Sequence, residues 1–402
     1  MRFNVGTLNA RALPEPWSKS VRARMYAIGR RLPALGLDVM AFQEVYSPDA
    51  KEILTRAASD AGFSYQWDAG QQMSLGGGLL IVSRLPIEQR YFEAFTVSGH
   101  AERALANGEF LSGKGFAVVR VRTDAGPVQI LTTHLHARYS RYASHRHVAY
   151  RAAQIIQIAA SIEQTNVPLV LLGDFNFLEG EDDYHVMTGL TSARDVAAEL
   201  SLRRRTATAT AANPYRASTR NWRKDFVFAR DCRERGLSAL KIERVFDEPI
   251  QIVGGLAAYS DHYGLAAELA LVEQSERVPV AVPAPRQLAE RLLREGGKLS
   301  EARLHDHLSM AVVGVGTAIA CSAGARQISG RSTRRMLLRG LLATGAVGAL
   351  TPSLLSEILI PQEVRAFENA QATLARLSPQ ATGGELRQLL SAVDAQDAVG
   401  RQ

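Results

Sequence analysis

Several residues that can carry chemistry stand just past apolar runs. Asn9 follows RFNVGTL, Glu44 follows VMAFQ, His134 ends PVQILTTH, and Asp174 and Asn176 end LVLLGDFN. Asp225 opens DFVFAR, and Asp261 and His262 stand just before GLAAELAL. A core strand needs no polar residue at its end, and in a layered fold such ends converge in one cleft. Acids and amides suit a hard cation such as Mg2+, which takes oxygen ligands. Two histidines with carboxylates nearby can move protons, because an aspartate fixes a histidine's tautomer and raises its basicity. Each residue alone also has a plain reading. Asn9 fits a turn, Glu44 a strand end, GDFN an Asx turn and Asp261-His262 a capping pair. The segment TTHLHARYSRYASHR, Thr132 to Arg146, leaves metal binding, acid–base chemistry and a solvated loop open.

The elements that must hold these residues are legible over 1–272. Strands are predicted at 2–8, 39–43, 78–83, 115–122, 127–135, 169–175, 225–230 and 264–271, from apolar runs and alternation. Thr123-Asp124-Ala125-Gly126 reads as a hairpin turn between two of them. Val21, Met25, Ile28, Leu32 and Leu35 recur at helical spacing, as do Val148, Ala152, Ile155, Ile156, Ala159 and Ile162. A hairpin mixed with helix-linked strands predicts an α/β fold: a four-layer α/β/β/α sandwich of two packed mixed sheets, with a helical C-terminal tail.

At 402 residues and 46% hydrophobic content, the chain suits one large domain with an appendage. The net charge of +7 fits an anionic partner without choosing among phosphate, nucleic acid and a membrane surface. Cys232 and Cys321 form no CxxC, which argues against a disulfide framework or a zinc site. MRFNVGTLNARALPEP has no apolar core of a signal peptide, so export by an N-terminal signal is not expected.

Taken in order, Asn9, FQEV with Glu44, THLH, GDFN, DFVF and SDH resemble the motifs of the endonuclease/exonuclease/phosphatase superfamily across 1–272. GGGLLIVSRLPI (76–87), FLSGKGF (110–116) and the segment from THLH into the following helix resemble neutral sphingomyelinases, in particular the membrane-bound type. The chain departs from that pattern after Asn9, where it reads Ala-Arg-Ala-Leu-Pro, and at Glu109 and Arg138. The resemblance implies Glu44 as the main Mg2+ ligand, with Asn9 and Asp261 on the metal side and Mn2+ as a substitute. It implies His262 as general base oriented by Asp225, and Asp174 and Asn176 on the scissile phosphate or its water. It implies His134 near the leaving oxygen, and Lys114, with Ser112 and Gly113, on the phosphate. A structural role is expected for His136. His145 and His147 are expected at the surface or as caps. Arg138, Arg141 and Arg146 are expected on a phosphate-rich surface or on a solvated face.

Composition changes after 272. A Pro-rich linker and a short amphipathic helix are expected over 273–307, and an apolar helical tail over 308–402. Leu308–Ala325 and Gly340–Ser356 are uncharged and near the lower limit for a membrane span, roughly 17–18 residues. Arg326, Arg331, Arg334, Arg335 and Arg339 lie between them. The stretches read as a membrane hairpin or anchor over 308–360, or as buried or interfacial helices; 332–350 also resembles a twin-arginine signal. The expected location is membrane-associated, with the catalytic domain cytoplasmic. The leading function is a Mg2+-dependent phospholipase C reaction on a sphingomyelin-like or lysophospholipid substrate. The alternatives are an endonuclease or other nucleic-acid phosphodiesterase, for which Arg203-Arg204-Arg205 speaks mildly, an inositol-phosphate phosphatase, and an inactive membrane scaffold.

Overall fold

The computed structural model describes residues 1–14, 17–71, 77–99, 112–138, 144–216, 220–273, 284–327 and 359–377. The Pro-rich linker, the second apolar stretch, the arginines from 331 to 339 and Arg141 fall outside the described residues, as do the side chains of His145, Arg146 and Arg326.

Two six-stranded mixed sheets pack face to face. The first contains β1 (Arg2–Ala12), β2 (Val39–Val45), β3 (Tyr65–Ala69) and β4 (Leu79–Ser83). The second contains β5 (Ile87–Ala94), β6 (Gly115–Thr123), β7 (Gly126–His134), β8 (Leu169–Asp174), β9 (Arg194–Asp195) and β10 (Asp225–Arg230). The chain then returns to the first sheet with β11 (Arg235–Val245) and, after the small hairpin of β12 (Ile250–Ile252) and β13 (Gly255–Ala257), with β14 (Gly264–Glu273). The strand orders are β11-β14-β1-β2-β4-β3 and β5-β6-β7-β8-β10-β9. Each strand predicted from sequence is present within a few residues. β3, β5, β9, β11 and the short pair β12–β13 are additional to them.

Four layers result, as predicted. Helices α1 (Val21–Arg31) and α2 (Pro48–Asp60) cover the first sheet through Met25, Ile28, Leu54, Leu8 and Phe42. Helices α3 (Ser144–Ile162) and α4 (Asp182–Thr191) cover the second sheet through Ile155, Ile156, Met187, Leu131 and Leu171. A one-turn helix, α5 (Val196–Glu199), follows β9. Between the sheets lie Phe3, Val5, Val39, Ala41, Val128, Ile130, Val170, Leu172 and Val227.

Side chains alternate across a strand, so this inner face can be followed residue by residue. On β1 it runs Phe3, Val5, Thr7, Asn9; on β7, Val128, Ile130, Thr132, His134; on β8, Val170, Leu172, Asp174; on β10, Ala229, Val227, Asp225. At one end of the sandwich the apolar filling gives way to a polar layer. Gln43 Nε2 donates to Thr7 Oγ1 at 3.0 Å and to Thr132 Oγ1 at 3.0 Å, bridging the sheets. The chemical residues lie one step further along.

Two later helices complete the outer layer. The helix expected around QLAERLLREG continues without a break through the apolar stretch, as α6 (Pro285–Gln327, 43 residues). It packs with α7 (Ile360–Arg376) against α3 and α4. Ala289, Leu292, Leu293, Phe367, Ala370 and Leu374 join the same core as Ile155 and Met187. Gly296 permits the approach, since a Cβ there would lie 2.6 Å from the Phe367 ring and 2.8 Å from Ala149 Cβ.

The parallel pair β7–β8 sets His134 opposite Asp174. Gly173 makes this pairing fit: its φ is 141°, and a Cβ on it would lie 2.1 Å from the Thr133 carbonyl oxygen. Gly173→Ala should destabilise the fold by about 1–3 kcal/mol, the usual cost of overpacking, and lower the melting temperature measured by calorimetry. An unchanged melting temperature would show that the strands separate freely there.

Candidate active site

The strand ends bring Asn9, Glu44, His134, Asp174, Asn176, Asp225 and His262 into one buried cluster. Asn9 Nδ2 donates to Glu44 Oε1 at 2.8 Å and to Asp174 Oδ2 at 3.0 Å. On β2 the inner face runs Val39, Ala41, Gln43, which by alternation would aim Glu44 at the helices. The backbone takes a left-handed φ of 57° at Glu44 instead, and its carboxylate meets Asn9. Asn176 also has a left-handed φ, 55°, and its backbone N–H donates to Asp174 Oδ1 at 3.0 Å. Strain of this kind, about 1–3 kcal/mol per residue, persists where surrounding contacts over-determine it, often at functional sites.

Ligand atoms of Glu44, His134 and Asp174 lie within 4.8 Å of one another. Burial, and then the charge of Asp261, pushes the Glu44 carboxyl up to about 6, against the hydrogen bond from Asn9. Burial also opposes ionisation of Asp174, but His262, His134 and Lys224 more than reverse it and hold that carboxyl down at about 2. The cluster is thus rich in hard oxygen donors, with two carboxylates gathered around the Asn9 amide and the His134 ring, whose Nε2 lies 3.8 Å from Glu44 Oε1 and 3.6 Å from Asp174 Oδ2. A half-turn of the Asn9 amide would exchange its nitrogen for its oxygen, so all three side chains fit a divalent cation.

The second group is Asp174, Asp225 and His262, again within 4.8 Å. Asp225 Oδ2 lies 2.7 Å from His262 Nδ1. A carboxylate there fixes the proton on Nδ1 and turns Nε2 to the cleft. Burial lowers the imidazole's pKa, yet Asp225, Asp174 and Asp261 outweigh it and raise it to about 9.

Around His134 a cationic frame assembles. Lys114 Nζ lies 3.0 Å from His134 Nε2 and donates to the Leu135 carbonyl at 3.1 Å. Asn176 Nδ2 donates to the same carbonyl at 3.1 Å. Lys224 Nζ reaches Asn176 Oδ1 at 3.4 Å; its own burial lowers its pKa, opposed mainly by Asp174. Ser112 and Gly113 precede Lys114 at the start of β6, Gly113 with φ 57°. Asp261 pairs with Arg11, Nη1 to Oδ2 at 3.1 Å, and its charge acts on both the Glu44 carboxyl and the His262 imidazole.

Sequence reasoning missed three contributors. Lys224 sits in NWRKD, a run that looks like a charged loop. Arg11 stands in the β1 extension. Arg24 is 1% exposed, although its place on an amphipathic helix suggests a solvated face. It donates to the carbonyls of Ala10 (2.8 Å), Arg11 (2.7 Å) and Tyr259 (2.9 Å), tying the end of β1 to the segment that carries Asp261 and His262. No pattern of residue types announces this.

His136 is buried, and its backbone N–H donates to Gln154 Oε1 at 2.9 Å, a structural setting. The surface or capping expectation for His147 is corrected: it is 2% exposed and its ring lies tilted against His136 with centroids 4.9 Å apart. The charged look of HRH conceals an inward helix position. Arg138 forms a two-pronged ion pair with Glu181 at 2.5 and 2.6 Å. Arg203 pairs with Glu179.

Comparison with known proteins identifies the family. The profile of the Endonuclease/Exonuclease/phosphatase family matches residues 3–262. The chain is similar to a candidate neutral sphingomyelinase of Drosophila melanogaster, 27% identical over 290 residues that cover 70% of this chain and 64% of that protein. It is also similar to Sphingomyelinase C of Leptospira interrogans, 28% identical over 190 residues, 42% of this chain and 32% of that one. The chain thus spans less than two thirds of the length of these curated relatives. Among solved structures, beta toxin of Staphylococcus aureus aligns with a TM-score of 0.53 at 19% identity over 66% of this chain and 99% of the toxin. A D. rerio TDP2 complexed with a single-strand DNA product aligns with a TM-score of 0.53 at 15% identity, over 67% and 99%. These two structures share the fold. With the matched span covering more than half of its length, the chain belongs to the endonuclease/exonuclease/phosphatase family.

Proposed function

We propose that the chain is a Mg2+-dependent phosphodiesterase that performs a phospholipase C reaction on a sphingomyelin-like lipid, and that its apolar tail attaches it to a membrane. The observation that carries this reading is the pairing of two sites in one cleft: the Glu44–Asn9–Asp174 oxygen cluster beside the Asp225–His262 dyad. The sphingomyelinase relatives supply the substrate class. A related toxin structure holds magnesium ions, and the hard oxygen donors here suit the same ion.

Glu44 and Asn9 would hold the cation, with Asp174 beside it. The bound cation supplies charge neutralisation at the phosphoryl oxygens. The protein's own residues do the rest. His262, raised to about 9 by the carboxylates around it and neutral once the cation engages their charge, takes a proton from the attacking water at Nε2, and Asp225 steadies the resulting imidazolium. Asn176, Lys114 and Lys224 offer donors to the phosphoryl oxygens as negative charge accumulates. His134, whose ring is held by Lys114, stands toward the leaving alcohol oxygen. The water's oxygen joins phosphorus, the bond from phosphorus to the lipid oxygen breaks as that oxygen takes a proton from His134, and a lipid alcohol and a phosphorylated head group depart. The nucleic-acid alternative draws less support, because Arg203 of the Arg203-Arg204-Arg205 run is engaged with Glu179.

The 402-residue chain in mixed micelles of detergent and sphingomyelin should release phosphocholine with Mg2+ and none with EDTA. His262→Ala should lower kcat by roughly a hundred- to ten-thousand-fold, the usual contribution of a general base. Release unaffected by EDTA, or by Glu44→Ala, would refute the metal assignment. Absence of release with cleavage of single-stranded DNA would move the enzyme to nucleic acids.

Mg2+ should also stabilise the fold independently of turnover. At about 100 times its Kd, a ligand adds about 2.7 kcal/mol, visible as a rise in melting temperature. Glu44→Gln should abolish that rise; an equal rise in the variant would place the ion elsewhere. Lys224→Met should lower kcat with little change in melting temperature, and an unchanged kcat would remove Lys224 from phosphate handling.

A further inference from the structure

The tail and the cleft occupy the same end of the molecule. β7 and β8 run parallel, with α3 as their crossover, so α3 starts at the site end and runs away from it. Both its ends show this. Tyr150, near its start, lies against His136, two residues past His134, with ring centroids 5.1 Å apart. The Ile162 carbonyl at its finish accepts from Arg230, at the far end of β10 from Asp225, at 2.7 Å.

Helix α6 passes Ala149 at Gly296 and reaches Tyr150 at Arg303. There a buried latch fastens it. The Glu363 carboxylate of α7 accepts from the Tyr150 hydroxyl at 2.5 Å, and also from Ser300 and Arg303. Beyond the latch the helix turns outward to solvent. Leu308 (41% exposed), Val312 (71%), Val315 (48%) and Ile319 (64%) line one face at i, i+4, i+7 and i+11, and Met310 (56%) and Val313 (67%) carry exposed apolar surface on the opposite side. An apolar helix with no polar face fits hydrocarbon on all sides. Only 7% of its most apolar window is buried, so it is no core helix. Residues 308–325 span about 27 Å at 1.5 Å per residue, close to the roughly 30 Å of a bilayer's hydrocarbon core. The chain is back on the domain at Ile360, where α7 packs beside the same latch.

On the opposite flank of the cleft, the loop after β1 exposes Trp17 to 67%. This loop continues from the strand end that carries Asn9, and the Ser18 hydroxyl within it donates to the Arg11 carbonyl at 2.7 Å. Tryptophan is enriched at membrane–water interfaces because its ring is both apolar and a hydrogen-bond donor. Trp17 belongs to the α1 side and the exit of α6 to the α3 side. A surface touching both lies across the mouth between them.

We propose that α6 enters a lipid bilayer from Leu308 onward, that the Glu363 latch fixes the catalytic domain to it, and that Trp17 rests on the same bilayer, so the cleft opens onto the membrane surface. This orientation rests on the lipid-phosphodiesterase reading and adds which face of the domain meets the lipid.

The test uses the full chain with phosphatidylcholine vesicles whose acyl chains carry bromine near the glycerol end. The protein should float with the vesicles, and its tryptophan emission should fall. Trp17→Phe should still float but lose most of the bromine-sensitive emission, leaving Trp67 and Trp222. Glu363→Ala should float with weaker quenching of Trp17, because the domain is then no longer held to the helix. Flotation with quenching that Trp17→Phe leaves unchanged overturns the orientation. Failure to float overturns it as well. Neither result touches the hydrolysis assay in detergent micelles, which judges the phosphodiesterase reading by itself.

Discussion

Two carboxylates, Glu44 and Asp174, are held side by side with the amide of Asn9 between them. At a separation within 4.8 Å, their repulsion is on the order of 3 kcal/mol at the effective dielectric that suits protein sites. The surrounding structure is arranged to sustain that arrangement. Asp174 stays ionised because two histidines and Lys224 face it. Glu44 has fewer such partners and is the carboxylate pushed upward. Charge that the protein only partly compensates is characteristic of a site that receives a cation. The left-handed turn at Glu44 serves the same end, because regular alternation would send this side chain to the wrong face.

The sandwich makes such a site by grading its interior. The inner faces of β1, β7, β8 and β10 are apolar through most of their length, then bear Thr7 and Thr132 around Gln43, then Asn9, His134, Asp174 and Asp225. The bridging glutamine satisfies polar groups that would each cost about 1–3 kcal/mol if buried unpaired. It also separates the site from the hydrocarbon-like filling below.

This gradient is why so much of the site is legible in the sequence. Val128, Ile130, Thr132 and His134 sit two residues apart, and the change from apolar to polar along that row marks the strand's functional end. The same row exists on β8 and β10. What stays hidden depends on contacts between remote segments. Arg24 looks like the polar stripe of a helix, yet it is spent on carbonyls of two distant segments. β5, IEQRYFEA, lies at an edge with four of its residues exposed, so it lacks the apolar run that reveals the central strands. Gly296-Gly297 resembles a break in a helix, but Gly296 is there for close packing on Ala149 and Phe367. His147 is disguised by its basic neighbours.

The Arg24 clamp has a consequence for how the molecule is made. It joins Ala10 to Tyr259, and β1 itself lies between β2 and β14, pairing Thr7 with Leu265. β1, made before β14, therefore has a vacant edge until that strand is synthesised. Contacts so far apart in sequence are slow to form, because a long loop must close before they return any stabilisation. His262 lies in that closing segment, so no shorter nascent chain holds both histidines of the cleft in place. A cluster assembled this way is incomplete during translation and closes only when the two ends of the domain meet.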